Sequence, residues 1–408
     1  LTLSVSFLLG GQRTRSGADR AILAIYGVLP VVGLYFLIGA GKDLSPAITY
    51  LRNVLTPILC LQIGLIVGRH VLSRPEGSIM AIGWMVVLYG FLEVIFDLGF
   101  LRLFNGDVYL NLRMKEAAEY WVVMMKQTGF VVREPLDMLR VTLFNTPLLS
   151  DLNISLFRLH GPNFHPISYA YALAFFALVG LTCRRPGLLI ATLPLMVFIG
   201  SKGAVLMLLL GGGAYLVARS WPSHAVMAGV VGVLCVYIGV AIVVGMRIGD
   251  FHVLGLFGCL DGFLANPLGH GLGVGGNLTG APSIEEWQAA QHAGKSLAAV
   301  ESGIGVLLYQ MGVGALVVLA VHVGIVVWCW RRFRETGSAT LGLGAFAVAT
   351  ILANAILQEE ALFSPLALGS LLLFVGHAIS RSVTDHDRDA EALEPAFSGG
   401  SRFAIAVR

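Results

Sequence analysis

Apolar residues fill this chain in long runs, separated by short polar connections, and arginine returns at every second connection. Neither the alternation of a half-buried strand nor the narrow stripe of an amphipathic helix fits such runs, and windows of about nineteen residues read as membrane spans. Ten are predicted, over residues 21–40, 54–72, 79–100, 164–182, 188–200, 203–218, 225–246, 303–330, 341–357 and 361–380. The opening run, residues 1–11, is too short to cross and is expected to be a truncated first helix or an interfacial stub. A signal peptide would carry its charges before the apolar run rather than after it. The expected fold is therefore an all-α polytopic membrane protein of about 10–11 transmembrane helices, a single membrane domain over residues 1–380 with a flexible cytoplasmic tail over 381–408.

The arginines orient the spans. Arg13, Arg15 and Arg20, then Arg69 and Arg74, Arg184 and Arg185, Arg219, Arg331, Arg332 and Arg334, and finally Arg381 fall on alternate connections. Positive charge stays on the cytoplasmic side, which puts residues 41–53, 101–163, 201–202, 247–302 and 358–360 outside. The two long connections, 101–163 and 247–302, thus share the outer face. The first mixes seven Lys/Arg with six Asp/Glu, and its apolar-rich stretch 120–132 is expected to lie on the membrane surface as an amphipathic helix. The second sets Asp250, Asp261, Glu285, Glu286 and Glu301 against Lys295 and reads as a polar, acidic lid. Long loops without obvious structure are usually functional or disordered, and two on one face favour function.

Composition excludes other classes. Of 408 residues, 56% are hydrophobic and 12% charged, about half the charge of a soluble domain. The net charge of +3 is small, and its placement in short loops suits membrane orientation better than a polyanion groove, so no nucleic-acid partner is expected. The five cysteines form neither a disulfide frame nor a metal knuckle.

Three constellations carry chemistry. Arg158, His160, Gly161, Asn163, His165 and Pro166 stand where the first outer loop enters a span. Arginine holds two phosphate oxygens in a fork and keeps its charge, so Arg158 reads either as an anion ligand or as a snorkelling helix anchor. Ser201, Lys202 and Gly203 make a tight outer turn in which Lys202 is an interfacial anchor or a second phosphate ligand. The acidic loop runs from Arg247 through a glycine-rich stretch, with Gly269, Gly271 and Gly273 as candidates for an anion-holding backbone nest or for a plain flexible turn. His292 and Glu301 are its available proton acceptors. Glu93 and Asp97, one turn apart in the third span, form a weaker candidate for a proton or cation path. The Asp385-His386-Asp387 string imitates a metal-binding sugar-transferase motif but lies in the tail, and no metal is expected.

The order of these motifs resembles the O-antigen polymerase and ligase family of bacterial envelope glycosyltransferases. It comprises Arg158, Gly161 and Pro166 at a span entry, the Ser-Lys-Gly turn, Arg247 at the start of a large outer loop, Asn-Pro-Leu-Gly-x-Gly from Asn266, and Glu301-Ser302 before a span with Met-Gly-Val-Gly. The resemblance implies a GT-C-like bundle in the bacterial inner membrane that transfers glycans from undecaprenyl diphosphate on the periplasmic face, without metal or other cofactor. Arg158 and Arg247, supported by Lys202, would hold the diphosphate. His292 or Glu301, with His165 in reserve, would take the acceptor proton. Family ligases carry a histidine near the position of His292, but Gln291, Ala293 and Gly294 depart from the ligase pattern. That favours a polymerase of O-antigen or exopolysaccharide repeat units, with a chain-length regulator as a possible protein partner. The alternatives are a ligase acting on a lipid A core and, in another class, a transporter or flippase coupled through Glu93 and Asp97.

Overall fold

In an apolar run with few polar partners, the backbone can satisfy its N–H and C=O groups only within its own segment, so each run coils. The computed structural model describes residues 17–70, 76–109, 112, 140–142, 155–277, 284–296 and 299–383. Three long helices come first: α1 (Gly17–Ala40), α2 (Leu44–His70) and α3 (Glu76–Arg102). Then follow α4 (Pro166–Thr182), α5 (Gly187–Ile199), α6 (Lys202–Val217), α7 (Ser223–Ile248), α8 (Phe251–Ala265) and α9 (Ile284–Ala293). The last group is α10 (Gly303–Met311), α11 (Ala315–Thr336), α12 (Ala339–Asn354), the five-residue α13 (Glu359–Phe363) and α14 (Pro365–Val383), whose first turn is a π-turn.

Five segments are long and apolar enough to cross a membrane: Leu44–Gly68, Glu76–Asp97, Ser223–Ile248, Gly303–Thr336 and Pro365–Val383. Shorter apolar helices pack among them. All residues from 168 to 180 of α4 are buried, as expected of a helix apolar on every side and surrounded by others. By contrast α7 turns Val231, Val236, Val240 and Val243 outward, each about half exposed or more. Apolar side chains on the outside as well as in the core make this an all-helical membrane protein.

Four features differ from the sequence reading. The segment expected to be a polar lid begins with α8, whose Val253, Leu254, Leu256 and Cys259 are buried as it packs on α10; His252 and Asp261 had masked its apolar face. The span predicted over 303–330 breaks at Gly312 (φ 52°, ψ −136°) and a 3₁₀ turn, Gly312–Gly314. The last span, predicted from residue 361, is preceded by α13 and separated from it by Ser364. A short antiparallel pair, β1 (Arg140–Thr142) with β2 (Ser155–Phe157), joins two parts of the first long loop, Val141 opposite Leu156. The surface helix expected over 120–132 and the tail beyond residue 383 lie outside the described residues.

The starts of α2, α4, α6 and α10 meet the ends of α1, α3 and α12 at one end of the bundle. Ile304 N–H donates to Ala355 C=O at 2.9 Å, and Leu272 N–H to Tyr35 C=O at 2.9 Å. This end collects most of the polar side chains singled out in the sequence.

Candidate functional site

From β2 the chain enters the turn that carries Arg158. Leu159 is fully buried and anchors it, and Gly161 reverses the chain at φ 71°. A Cβ at position 161 would come within 2.2 Å of Tyr169 Cγ, so the close approach requires glycine. Glu93, buried within α3, accepts hydrogen bonds from His160 N–H at 2.7 Å and Gly161 N–H at 2.9 Å. Burial first, and then the positive charge of Arg158, push the His160 imidazole down to about 4, so it is neutral at physiological pH. Glu93 is therefore the clamp of this turn. Asp97 does not share its helical face, because the helix breaks there at φ 44°, and the paired-carboxylate path is not formed.

Arg158 is partly buried, and its Nε is buried without a hydrogen-bond partner. Burial pushes its pKa down while the charge of Glu360 works the other way, and a guanidinium stays charged in either case. His165 has a different role. It caps α4, with Nδ1 accepting from Ser168 N–H at 3.3 Å and lying 3.0 Å from Ser168 Oγ. Pro166 follows at the first helical position, where its missing N–H costs nothing.

The connection from α12 to α13 brings three more polar groups. Gln358 Oε1 accepts from Tyr171 Oη at 3.0 Å, and Asn354 Nδ2 donates to Gly203 C=O at 2.9 Å. Glu359 is 2% exposed. Tyr50 Oη donates a short hydrogen bond to its Oε1, and Asn277 N–H donates to its Oε2 at 2.9 Å. Burial pushes Glu359 up to about 8 against those two hydrogen bonds, and the charges of Glu360 and Glu301 push the same way as burial. Glu360 is raised as well, by burial first and then by the charge of Glu301, and its Oε2 is buried without a hydrogen-bond partner.

Glu301 faces His252, Oε2 to Nδ1 at 3.0 Å. Burial would lower the imidazole, but Glu301, then Asp250 and Glu360, outweigh it and carry His252 up to about 8. Burial would raise Glu301, and the His252 contact turns the balance below the usual carboxylate range. The backbone of Glu301 is left-handed, φ 66°, a conformation uncommon for a residue with a Cβ. Its N–H donates to Asn277 Oδ1 at 3.0 Å. Ser302 then caps α10 by accepting Gly305 N–H.

Two of the three amides expected to make an anion nest in the glycine-rich loop are already engaged by backbone carbonyls. Gly269 N–H donates to Asn266 C=O and Gly271 N–H to Gln310 C=O, at 2.9 and 2.8 Å. Its glycines answer to packing: a Cβ at 269, 271 or 273 would fall 2.5, 2.6 or 2.4 Å from a backbone nitrogen of Gly312, Gly39 or Ala47, each at positive φ. The loop is wedged between α1, α2 and α10 and is part of the bundle.

Of the residues singled out in sequence, Arg158 and Glu301 lie at the same end of the bundle, each close enough to Glu360 for their charges to interact. Lys202 opens α6 one residue from the Gly203 contact, and its side chain is exposed. Arg247 in the last turn of α7 and His292 in the last turn of α9 are also exposed. Among the described residues, neither Arg247 nor His292 makes an ion pair. Sequence reasoning missed His252, Asn277, Glu359 and Glu360 as members of the site. The available signal was a Glu-Glu pair between two apolar runs. The sequence matches no protein-family model, and no curated protein is similar to it.

This arrangement offers a fixed cation with an open donor, a carboxylate with an open acceptor, and an imidazolium–carboxylate pair. Such a set can hold an anionic leaving group on one side and receive a proton on the other.

Proposed function

We propose that this protein is a glycan transferase of the bacterial inner membrane. In this reading it polymerises oligosaccharide repeat units carried on undecaprenyl diphosphate, with its site on the periplasmic face and a GT-C-like arrangement of helices. The observation that carries the reading is Arg158: a partly buried guanidinium whose Nε has no partner, on the turn held by the Glu93 clamp and near enough to Glu360 to feel its charge.

The acceptor hydroxyl attacks C1 of the donor sugar, the bond from C1 to the diphosphate oxygen breaks, and the diphosphate leaves with the electron pair. Negative charge develops on those oxygens, where a preorganised guanidinium stabilises it most. The hydroxyl proton passes to Glu360, which burial and the charge of Glu301 make a stronger base than an ordinary carboxylate. His252, as an imidazolium paired with Glu301, adds positive charge beside the site. Arg247 and Lys202, exposed at the same rim in this orientation, remain candidates for the outer phosphate and the lipid headgroup region. His292 and His165 are less well placed as bases, the first by its exposure and the second by its capping role.

The transporter reading is weakened, since Glu93 is buried and engaged by backbone N–H groups while Asp97 is exposed at the break in its helix. Incubation of the purified protein with lipid-diphosphate-linked repeat units, with and without a lipid A core acceptor, tests the activity. A ladder of repeats is expected; transfer to the core alone indicates a ligase, and no transfer to either acceptor overturns the proposal.

A further inference from the structure

Glu359 takes no part in the proposed transfer, yet it is a carboxyl group 2% exposed, where a neutral apolar residue would be cheaper to bury. Its two oxygens meet different parts of the chain: Tyr50 of α2 and the N–H of Asn277 at the end of the glycine-rich loop. Gly276, one residue earlier and at φ 93°, comes so close that a Cβ there would collide with Tyr50 Oη and lie 3.1 Å from Glu359 Oε1. The loop end is thus seated on the Tyr50–Glu359 pair. Asn277 passes the constraint on, its side-chain oxygen accepting the N–H of Glu301 at 3.0 Å, and Glu301 in its left-handed conformation meets His252.

We propose that Glu359 is a positioning residue: by joining Tyr50 of α2 to the backbone of Asn277, it clamps the end of the glycine-rich loop and, through Asn277, holds Glu301 against His252. The consequence for transfer rests on the proposed function; the clamp itself does not.

The groups facing Glu359 are Tyr50 from α2, Glu301 from the stretch before α10, Cys259 from α8 and Glu360 beside it. His252 stands behind Glu301, and Tyr171 of α4 faces Glu360. With two carboxylates near and no cation among these direct neighbours, a further buried negative charge is unfavourable by more than the two hydrogen bonds offset, and losing its proton is expected to loosen the clamp. A glutamine at 359 keeps an acceptor for Asn277 N–H and a polar group for Tyr50, and cannot ionise.

Hydrogen exchange of the 266–277 stretch, measured on the full chain in lipid nanodiscs from pH 6 to 9.5 and corrected for intrinsic exchange, tests this. In the unaltered protein, protection should already fall by up to about tenfold per pH unit between pH 6 and about pH 8, the opened carboxyl group being ionised while the seated one is still neutral, and should level off above pH 8. Glu359→Gln should stay protected throughout, and Tyr50→Phe should be less protected at every pH. His252 still titrates in Glu359→Gln, so a loop that opened on loss of the His252 proton would open there too. That outcome, or a flat profile in the unaltered protein, overturns the proposal. Run beside the transfer assay, the two ideas separate. The expected exchange pattern in a protein that transfers nothing removes the proposed function and keeps the clamp. Transfer in a protein whose loop ignores Glu359→Gln removes the clamp and keeps the function.

Discussion

Glu93 and Gly161 lie on different elements, 68 residues apart in the chain, and are joined by a hydrogen bond of 2.9 Å from the Gly161 N–H to a fully buried carboxylate oxygen. With the second bond from His160, this makes a carboxylate inside an apolar helix the anchor of the turn that presents Arg158.

Glu93→Gln should therefore weaken the protein and its activity together. The amide keeps one acceptor and turns a donor toward a backbone N–H, a mismatch worth about 1–3 kcal/mol when buried. Thermal unfolding in detergent checks the first effect and product yield the second. Unchanged stability with altered ion-coupled uptake would favour a transporter.

The glycine-rich loop gives a paired test. Gly271→Ala places a Cβ 2.6 Å from the Gly39 nitrogen at φ 97°, where backbone has to move. Gly294→Ala, at φ 71° with open space around it, should cost only the left-handed strain of about 1–2 kcal/mol. Folded yield should be lost in the first variant and kept in the second. Equal tolerance of both would show that the loop is not wedged as described.

Stability should also depend on pH through His252 and Glu301. His252 in the folded protein is raised to about 8, above its ordinary 6.5, so its contribution is fully present below 6.5 and is lost as pH rises through about 8. Glu301 is depressed, so its share is present above the ordinary carboxylate range and is lost only in acid. His252→Gln should remove the His252 part of the alkaline decline in melting temperature. A profile identical to that of the unaltered protein would mean that the pair contributes nothing.

Much of the fold is legible in the sequence because lipid imposes one rule on the backbone: every apolar run over the described residues is helical. What hydropathy misses are the places where polar residues interrupt an apolar face. His252 and Asp261 hide α8, and the break at Gly312 is silent because glycine alternates with valine and methionine there. Arg158 and Glu301 stood out as charges at span entries. Glu359 and Glu360 did not, since two adjacent glutamates between spans look like a wet turn, and only tertiary packing shows that one is buried against Tyr50. The glycines misled in the opposite sense, because a loop rich in positive-φ residues suits an anion nest and a tight backbone crossing equally well.

The most direct test of the account is repeat-unit transfer by purified Arg158→Ala and Arg158→Lys, each first shown to fold like the unaltered protein. Arg158→Ala should abolish elongation and Arg158→Lys should restore little, because a single ammonium lacks the planar fork. Full-length polymer from a folded Arg158→Ala would contradict the claim that this guanidinium holds the leaving diphosphate.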